Sequence, residues 1–240
     1  MGDMKINGHG TMAGGEYGRV VVNGSGRCDG LLAAERVQVS GTFQCPGVTK
    51  SGRLSASGSF RCDGDLRSDD LNVSGRLKCG GRLEAGRVKC SGSMDVEGDV
   101  SVEELNVSGV LRVLGGTKLE ANQISSSGAI KIDGQISADE VKITGLVTAR
   151  EIVGDRVVIH SGRFSLTPLL HIFGMALSKV DLIEATTVEL EGVTAQTVNG
   201  QCVKIGPNCV IENVDCSGSL FVDPTSTVRN VTGQCIQVDG

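Results

Sequence analysis

Apolar and polar residues alternate along most of this chain, and the alternation recurs every seventeen residues between Val20 and Leu111. In one copy the apolar positions are Leu71, Val73, Leu77 and Cys79. Alternation with a period of two indicates strands with one buried face, whereas a helix would show apolar residues three and four positions apart. Self-similarity at a fixed period is typical of solenoids, in which each copy is one stacked unit.

Seventeen residues hold about three short strands with a corner after each. Three strands that stack on the next three at about 4.8 Å form a parallel β-helix. Parallel crossover connections are overwhelmingly right-handed. We therefore predict an all-β fold, a right-handed parallel β-helix with triangular turns of about seventeen residues.

Two columns of glycine accompany the repeat. The glycines of the first corner are Gly24, Gly41, Gly58, Gly75, Gly92 and Gly109, and a second glycine follows each of them six residues later. We expect the first-corner glycines to adopt a positive φ, which only glycine adopts cheaply. A serine or asparagine precedes most of them, and we expect its side chain to satisfy a corner amide.

The regularity of the repeat changes along the chain. We predict a degenerate N-terminal turn over 1–18, regular turns over 19–162, an apolar interruption over 163–180 and less regular turns over 181–240, all in one continuous domain. The interruption carries Phe164, Leu169, Leu170, Ile172 and Phe173. Two interpretations stay open: an enlarged corner whose apolar residues fold over the core, or an exposed patch for a partner or the inner membrane surface.

The ends of the predicted solenoid have no amphipathic helix to cover them. A monomeric solenoid needs polar caps, and an open strand edge pairs readily with another chain. We therefore predict that copies of the chain join end to end. The predicted contact residues are Ile6, Met12, Val20 and Val22 at one end, and Val228, Val231, Ile236 and Val238 at the other.

Composition and charge narrow the function classes. The formal net charge of −5 argues against a nucleic-acid-binding protein. Residues 1–93 carry 13 Lys and Arg against 9 Asp and Glu, whereas residues 94–240 carry 10 against 19. Such a bias favours association of copies head to tail or side by side, or it is incidental to a solvated surface. No signal peptide and no membrane span is recognisable, which predicts a cytoplasmic protein.

The residues capable of chemistry are few. Cys28, Cys45, Cys62 and Cys79 recur at one inward position, where we expect the thiol to act as a small hydrophobe rather than a metal ligand. His160 is expected to be a buried core histidine. The copies lack the long loops from which sugar-cleaving β-helices build clefts, so we predict no enzyme, metal or cofactor. A β-helix enzyme or carbohydrate-binding protein with a site along one face stays the alternative.

The aliphatic-x-aliphatic-Ser-Gly turns and the closing segment from Lys204 to Leu220 resemble the bactofilins, and more closely the long bactofilin-like polymer-forming proteins of Gram-positive bacteria. The resemblance implies a right-handed triangular β-helix that polymerises through its ends, without nucleotide, into filaments. It also implies a cytoskeletal scaffold for envelope-linked processes such as shape, morphogenesis or motility. The partners would then be other copies of the chain, the inner membrane surface and envelope-associated proteins.

Overall fold

The computed structural model describes residues 1–115, 118–161 and 178–238. Within these ranges the secondary structure consists of parallel strands in a β-solenoid, and no helix is present. The prediction of a parallel β-helix with a repeat near seventeen residues is confirmed. By its internal contacts the chain forms two compact units, Met1–Glu120 and Ala121–Gly240.

The N-terminal unit alternates long and short strands, and each strand pairs in parallel with the second strand after it. The strands are β1 (Gly2–Ile6), β2 (His9–Met12), β3 (Gly15–Val22), β4 (Ser25–Cys28), β5 (Leu32–Val39), β6 (Thr42–Cys45), β7 (Val48–Ala56), β8 (Ser59–Cys62), β9 (Leu66–Val73), β10 (Arg76–Cys79), β11 (Leu83–Cys90), β12 (Ser93–Val96), β13 (Val100–Val107) and β14 (Val110–Val113). Strand β15 (Lys118–Ser126) contains the boundary between the units.

Each long strand bends in its middle and buries side chains on both sides of the bend. A coil of one long and one short strand therefore buries three pairs of side chains. In β5 the side chains of Leu32 and Ala34 are buried, the next two residues are exposed, and Val37 and Val39 are buried again. The short strand β6 adds Phe43 and Cys45 as the third buried pair. The three inward pairs of a coil match the three strands predicted, although the backbone joins two of them into one strand.

The corner glycines are required for a different reason from the one predicted. Among the described glycines a positive φ occurs at Gly15, Gly192 and Gly233, and the first-corner column is not among them. Instead, a Cβ atom on Gly75 would lie 2.1 Å from the carbonyl oxygen of Gly58, and one on Gly92 would lie 2.0 Å from that of Gly75. Successive corners stack so closely that no side chain fits between them.

The residue before the corner glycine also acts otherwise than expected. The backbone N–H of Ser57 donates to the carbonyl of Val39 at 2.9 Å, so the ladder itself satisfies that amide. The Ser57 hydroxyl donates to the same carbonyl at 3.3 Å, and Thr144 contacts Ser126 O in the same way at 3.4 Å. The short polar side chain therefore donates to the preceding coil.

The C-terminal unit uses longer strands and a shorter repeat. Its strands are β16 (Ala129–Ile132), β17 (Gln135–Ile143), β18 (Leu146–His160), β19 (Ser178–Glu191), β20 (Val193–Ile205), β21 (Val210–Val222), β22 (Thr227–Thr232) and β23 (Ile236–Gln237). The register advances by fifteen residues from Val188 to Val203 and by sixteen from Val198 to Val214. Shorter coils therefore occur between β19 and β21, whereas the advance from Val214 to Val231 is seventeen again. The long strands of this unit run through a corner.

The ladder continues on both sides of the apolar interruption. Strand β18 pairs with β19 in unbroken register from Thr148↔Lys179 to His160↔Glu191. The hydroxyl groups of Ser161 and Ser178, which flank the undescribed segment, hydrogen-bond to each other. Ser161 and Ser178 therefore lie at neighbouring points of the ladder. The predicted patch residues Phe164, Leu169, Leu170, Ile172 and Phe173 lie outside the described residues.

Candidate functional site

The last coil of the C-terminal unit leaves core positions uncovered. Strand β22 pairs with β21 through Ile211↔Val228 and Val214↔Val231. Ile211 and Val214 are 1% and 0% exposed, whereas Val231, one coil later in the same column, is 44% exposed. Ile236 and Val238 are 73% and 45% exposed, and Val228 is half-buried. A further coil stacked here would cover the same positions that each earlier coil covers on its predecessor.

The outer edge of β22 has no strand partner among the residues that the structure describes. Its inner edge and that of β23 pair with β21, the latter through Ser219↔Ile236. The unpaired N–H and C=O groups of such an edge form a template for another strand. This surface, comprising β22, β23, Val231, Ile236 and Val238, is called the terminal edge below.

The first coil of the N-terminal unit differs from the terminal edge. The predicted contact residues at this end are core residues: Ile6 is 7% exposed, Met12 2%, and Val20 and Val22 are each 0%. Val20 and Val22 belong to the second coil, where they pair with Met4 and Ile6 of β1. Their side chains are therefore not available to a partner, and this end offers backbone groups of β1 and β2 instead. Residues 1–18, for which a degenerate turn was predicted, contain β1, β2 and the beginning of β3.

The cysteine column is buried, as predicted. Cys28, Cys45, Cys62 and Cys79 are each at most 1% exposed, and the register stacks Cys45 on Cys62 and Cys62 on Cys79. The hydrogen bond with Cys45, together with burial, raises the pKa of the Cys62 thiol to about 12. The Cys62 Sγ lies 3.4 Å from Gly64 O and 3.3 Å from Asp65 O. The thiol therefore fills the core and also donates weakly to corner carbonyls, which the sequence pattern did not indicate.

His160 does not occupy the core position predicted for it. Its side chain is 38% exposed, and its Nε2 lies 3.4 Å from the Glu189 Oε1. The Lys204 ammonium lies 3.1 Å from the same oxygen and lowers the pKa of Glu189 through that hydrogen bond. The inward position belongs to Ile159, which is buried. His160 therefore lies on the surface beside the Glu189–Lys204 ion pair.

A groove of about 430 Å³ lies on the C-terminal unit and was not predicted. The ladder stacks Glu184 on Val153, Asn199 on Glu184 and Asp215 on Asn199. Gly154, Ala185 and Gly200 form a column of small residues beside them, with Thr186 and Ser217 also in the lining. The alternating pattern marks Glu184 and Asp215 as outward residues, but only the fold shows that small residues beside them leave a depression. This surface is called the acidic groove below.

In the ranges that the structure describes, no group of three or more His, Cys, Asp or Glu residues is arranged to hold a metal ion. No helix long and apolar enough to span a bilayer occurs in those ranges.

The chain is similar over part of its length to a protein of Bacillus subtilis (strain 168) described as "Uncharacterized protein YhbE". The two are 38% identical over 84 residues, which are 35% of this chain and 35% of that protein. The match thus spans about a third of the relative's length. No protein-family model and no solved structure matches the chain.

Proposed function

We propose that the protein is a non-enzymatic scaffold that assembles with copies of itself, end to end and without nucleotide. The observation that carries this proposal is the abrupt exposure within a core column, from 0% at Val214 to 44% at Val231. A coil from a second copy would bury Val231, Ile236 and Val238 and pair the open edge of β22. Burial of one such side chain contributes about 1.5–3 kcal/mol, and each ladder hydrogen bond adds about 0.5–1.5 kcal/mol.

The resemblance to bactofilins extends the proposal to a cytoskeletal role. In that role the filaments would serve envelope-linked processes such as shape, morphogenesis or motility, in the cytoplasm or at the inner membrane surface. The turns that carry the resemblance are the core of the N-terminal unit, where Leu71, Val73 and their equivalents are buried. The segment from Lys204 to Leu220 forms most of β21, which supports the terminal edge.

The test is the assembly state of the purified chain without nucleotide, measured by electron microscopy and light scattering. Filaments are expected for the natural sequence and should be lost when Val231, Ile236 and Val238 are all replaced by lysine. Leu31→Lys is the matched control, because Leu31 is also exposed, at 59%, but lies in the N-terminal unit away from the terminal edge. Circular dichroism should show unchanged strand content in both variants.

Two results would overturn the proposal. One is a natural chain that stays monomeric at concentrations well above those in a cell. The other is a triple-lysine variant that still forms filaments of normal length, because the terminal edge would then not be the contact.

The acidic groove favours one second candidate, a carbohydrate-binding surface. Glu184 and Asp215 stand two coils apart, which places their backbones about 9.6 Å from each other at ladder spacing. Carboxylate and amide oxygens accept hydrogen bonds from sugar hydroxyl groups, and both carboxylates are exposed to solvent here. The test is a binding titration with uncharged oligosaccharides, repeated with the variants Glu184→Gln and Asp215→Asn.

A further inference from the structure

Three arginines stack directly on one another in the N-terminal unit. The register places Arg19 beside Arg36 and Arg36 beside Arg53, on the outward side of β3, β5 and β7. Neighbouring coils are about 4.8 Å apart, and like charges directly opposite each other in a sheet are destabilising. This column, Arg19–Arg36–Arg53, is called the arginine ridge below.

The next coils of the same column show how the chain ordinarily arranges charge. Arg53 is followed by Asp70, Arg87 and Glu104, so that the sign alternates. Arg87 lies 3.3 Å from the Asp70 carboxylate and 2.9 Å from that of Glu104. Both parts belong to one column on the long strands, and they differ in the order of the charge signs and in exposure, since Asp70 and Glu104 are half-buried. The alternating part is therefore an internal control for the arginine ridge.

The arginine ridge has few partners within its own unit. Arg19 donates to the amide oxygen of Gln38 at 3.2 Å, and Arg53 reaches Asp70 at 3.4 Å. The Arg36 side chain forms no hydrogen bond or ion pair with any residue that the structure describes, and it is exposed. Two of the three guanidinium groups thus have no carboxylate partner among the described residues.

The acidic groove has the complementary arrangement. Glu184, Asn199 and Asp215 follow one another at ladder spacing, and no hydrogen bond or ion pair joins their side chains to other described residues. The column of Gly154, Ala185 and Gly200 beside them leaves a volume of about 430 Å³, which can admit long side chains. Carboxylate and amide oxygens accept from guanidinium groups, which form bidentate pairs with carboxylates.

We propose that the arginine ridge of one copy docks into the acidic groove of another copy. Both columns are set by stacked coils, so three successive arginines meet a carboxylate, an amide and a carboxylate at the same interval of about 4.8 Å. This contact joins copies side by side and is separate from the end-to-end contact at the terminal edge. It accounts for both the unsatisfied arginine ridge and the unpartnered carboxylates in one interface.

The experiment uses the full chain with Val231, Ile236 and Val238 replaced by lysine, so that end-to-end contact does not contribute. Sedimentation equilibrium is measured at about 0.01 M and about 1 M salt, between which the Debye length falls from about 30 Å to about 3 Å. Association is expected at low salt and should be lost at high salt. Arg19→Glu with Arg36→Glu should raise the dissociation constant roughly tenfold or more. Glu184→Arg with Asp215→Arg should have the same effect.

Combining all four substitutions in one chain should restore association, because the two surfaces then exchange their signs of charge and remain complementary. The matched control is Arg76→Glu with Arg150→Glu, which changes the net charge by the same amount at exposed positions outside both surfaces. The control should associate like the parent.

A parent chain that is monomeric at low salt would overturn the inference. So would a four-substitution chain that fails to associate although circular dichroism shows it folded. Binding of short polyphosphate that requires Arg19 and Arg36, without association of copies, would also overturn it, since the arginine ridge would then serve a free polyanion. These outcomes are independent of the filament test, which depends on the terminal edge alone.

Discussion

The solenoid turns at two kinds of corner, a sharp glycine corner between strands and a gentler bend within the long strands. In the N-terminal unit a glycine stands at the first corner of every coil from Gly24 to Gly109, and the carbonyl of the preceding corner occupies the space of a side chain. The C-terminal unit keeps this corner at Gly145, where a Cβ would lie 1.9 Å from the Gly128 carbonyl oxygen. The bend within the long strands is a second kind of corner, whose column reads Ala34, Ser51 and Ser68 in β5, β7 and β9 and Gly154, Ala185, Gly200 and Cys216 in β18 to β21. The solenoid therefore admits side chains at this bend and excludes them at the sharp corner.

This difference has consequences for the surface. Sharp glycine corners hold the repeat at seventeen residues and stack outward residues into straight columns, including the arginine ridge. The bent strands of the C-terminal unit run thirteen to fifteen residues without interruption. Small residues at their bends leave the depression that forms the acidic groove. The N-terminal unit thus presents an exposed column of arginines and the C-terminal unit presents a recess, although both bury the same aliphatic residue types.

The largest effect is expected from a methyl group added to a sharp corner. Gly75→Ala places a Cβ about 2.1 Å from the Gly58 carbonyl oxygen and must push two coils apart. We expect a loss of about 2–4 kcal/mol in unfolding free energy, measured by urea denaturation. Because adjacent coils support each other, hydrogen exchange should accelerate most in β8 and β10.

The matched substitution in the C-terminal unit is Gly200→Ala. Its Cβ would lie 2.8 Å from a methyl group of Val203 and 3.0 Å from the Ala185 carbonyl, and Ala185 already carries a Cβ in that column. We expect a loss of about 1 kcal/mol. Equal losses at Gly75 and Gly200 would show that the two kinds of corner do not differ in the way proposed.

A pH-dependent effect is expected from the buried thiols under alkaline conditions. The hydrogen bond with Cys45, together with burial, raises the pKa of Cys62 from 9.0 to about 12. Above pH 9 the unfolded chain releases this proton and the folded chain does not, so the contribution of this thiol to stability is constant below that pH and is lost between about pH 9 and 12. The expected slope is roughly 1 kcal/mol per pH unit for such a thiol.

The check is the pH dependence of unfolding in Cys62→Val. Valine occupies the equivalent position at Val96 and Val113, both buried, so the substitution should be tolerated at neutral pH. It should also reduce the alkaline slope. An unchanged slope would assign the alkaline loss to other groups. In the folded chain, alkylating reagents should modify the exposed Cys202 and the half-buried Cys235 and spare Cys62.

The hydrophobic pattern predicted the fold because each inward column repeats a residue of similar size. Leu77, Met94 and Leu111, for example, succeed one another in a buried column, and alternation alone identifies it. The role of the corner glycines was predicted wrongly, since close stacking and a positive φ select the same residue. The acidic groove was missed because Glu184 and Asp215 are separated by coils of fifteen and sixteen residues, which the seventeen-residue alignment does not bring together.

The smallest effects are expected within the outward charge column, and their sign is the informative quantity. Arg87→Gln removes two ion pairs and should cost about 0.5–1 kcal/mol at low salt, since exposed pairs contribute little. Arg36→Gln removes repulsion from Arg19 and Arg53 and should leave the isolated chain slightly more stable. Thermal unfolding at low and high salt measures both, and high salt should bring the two variants together. An unfavourable charge that does not help folding is retained only if it serves a contact. If Arg36→Gln made the monomer less stable, Arg36 would help folding, and this would contradict the view that the arginine ridge is kept for a partner.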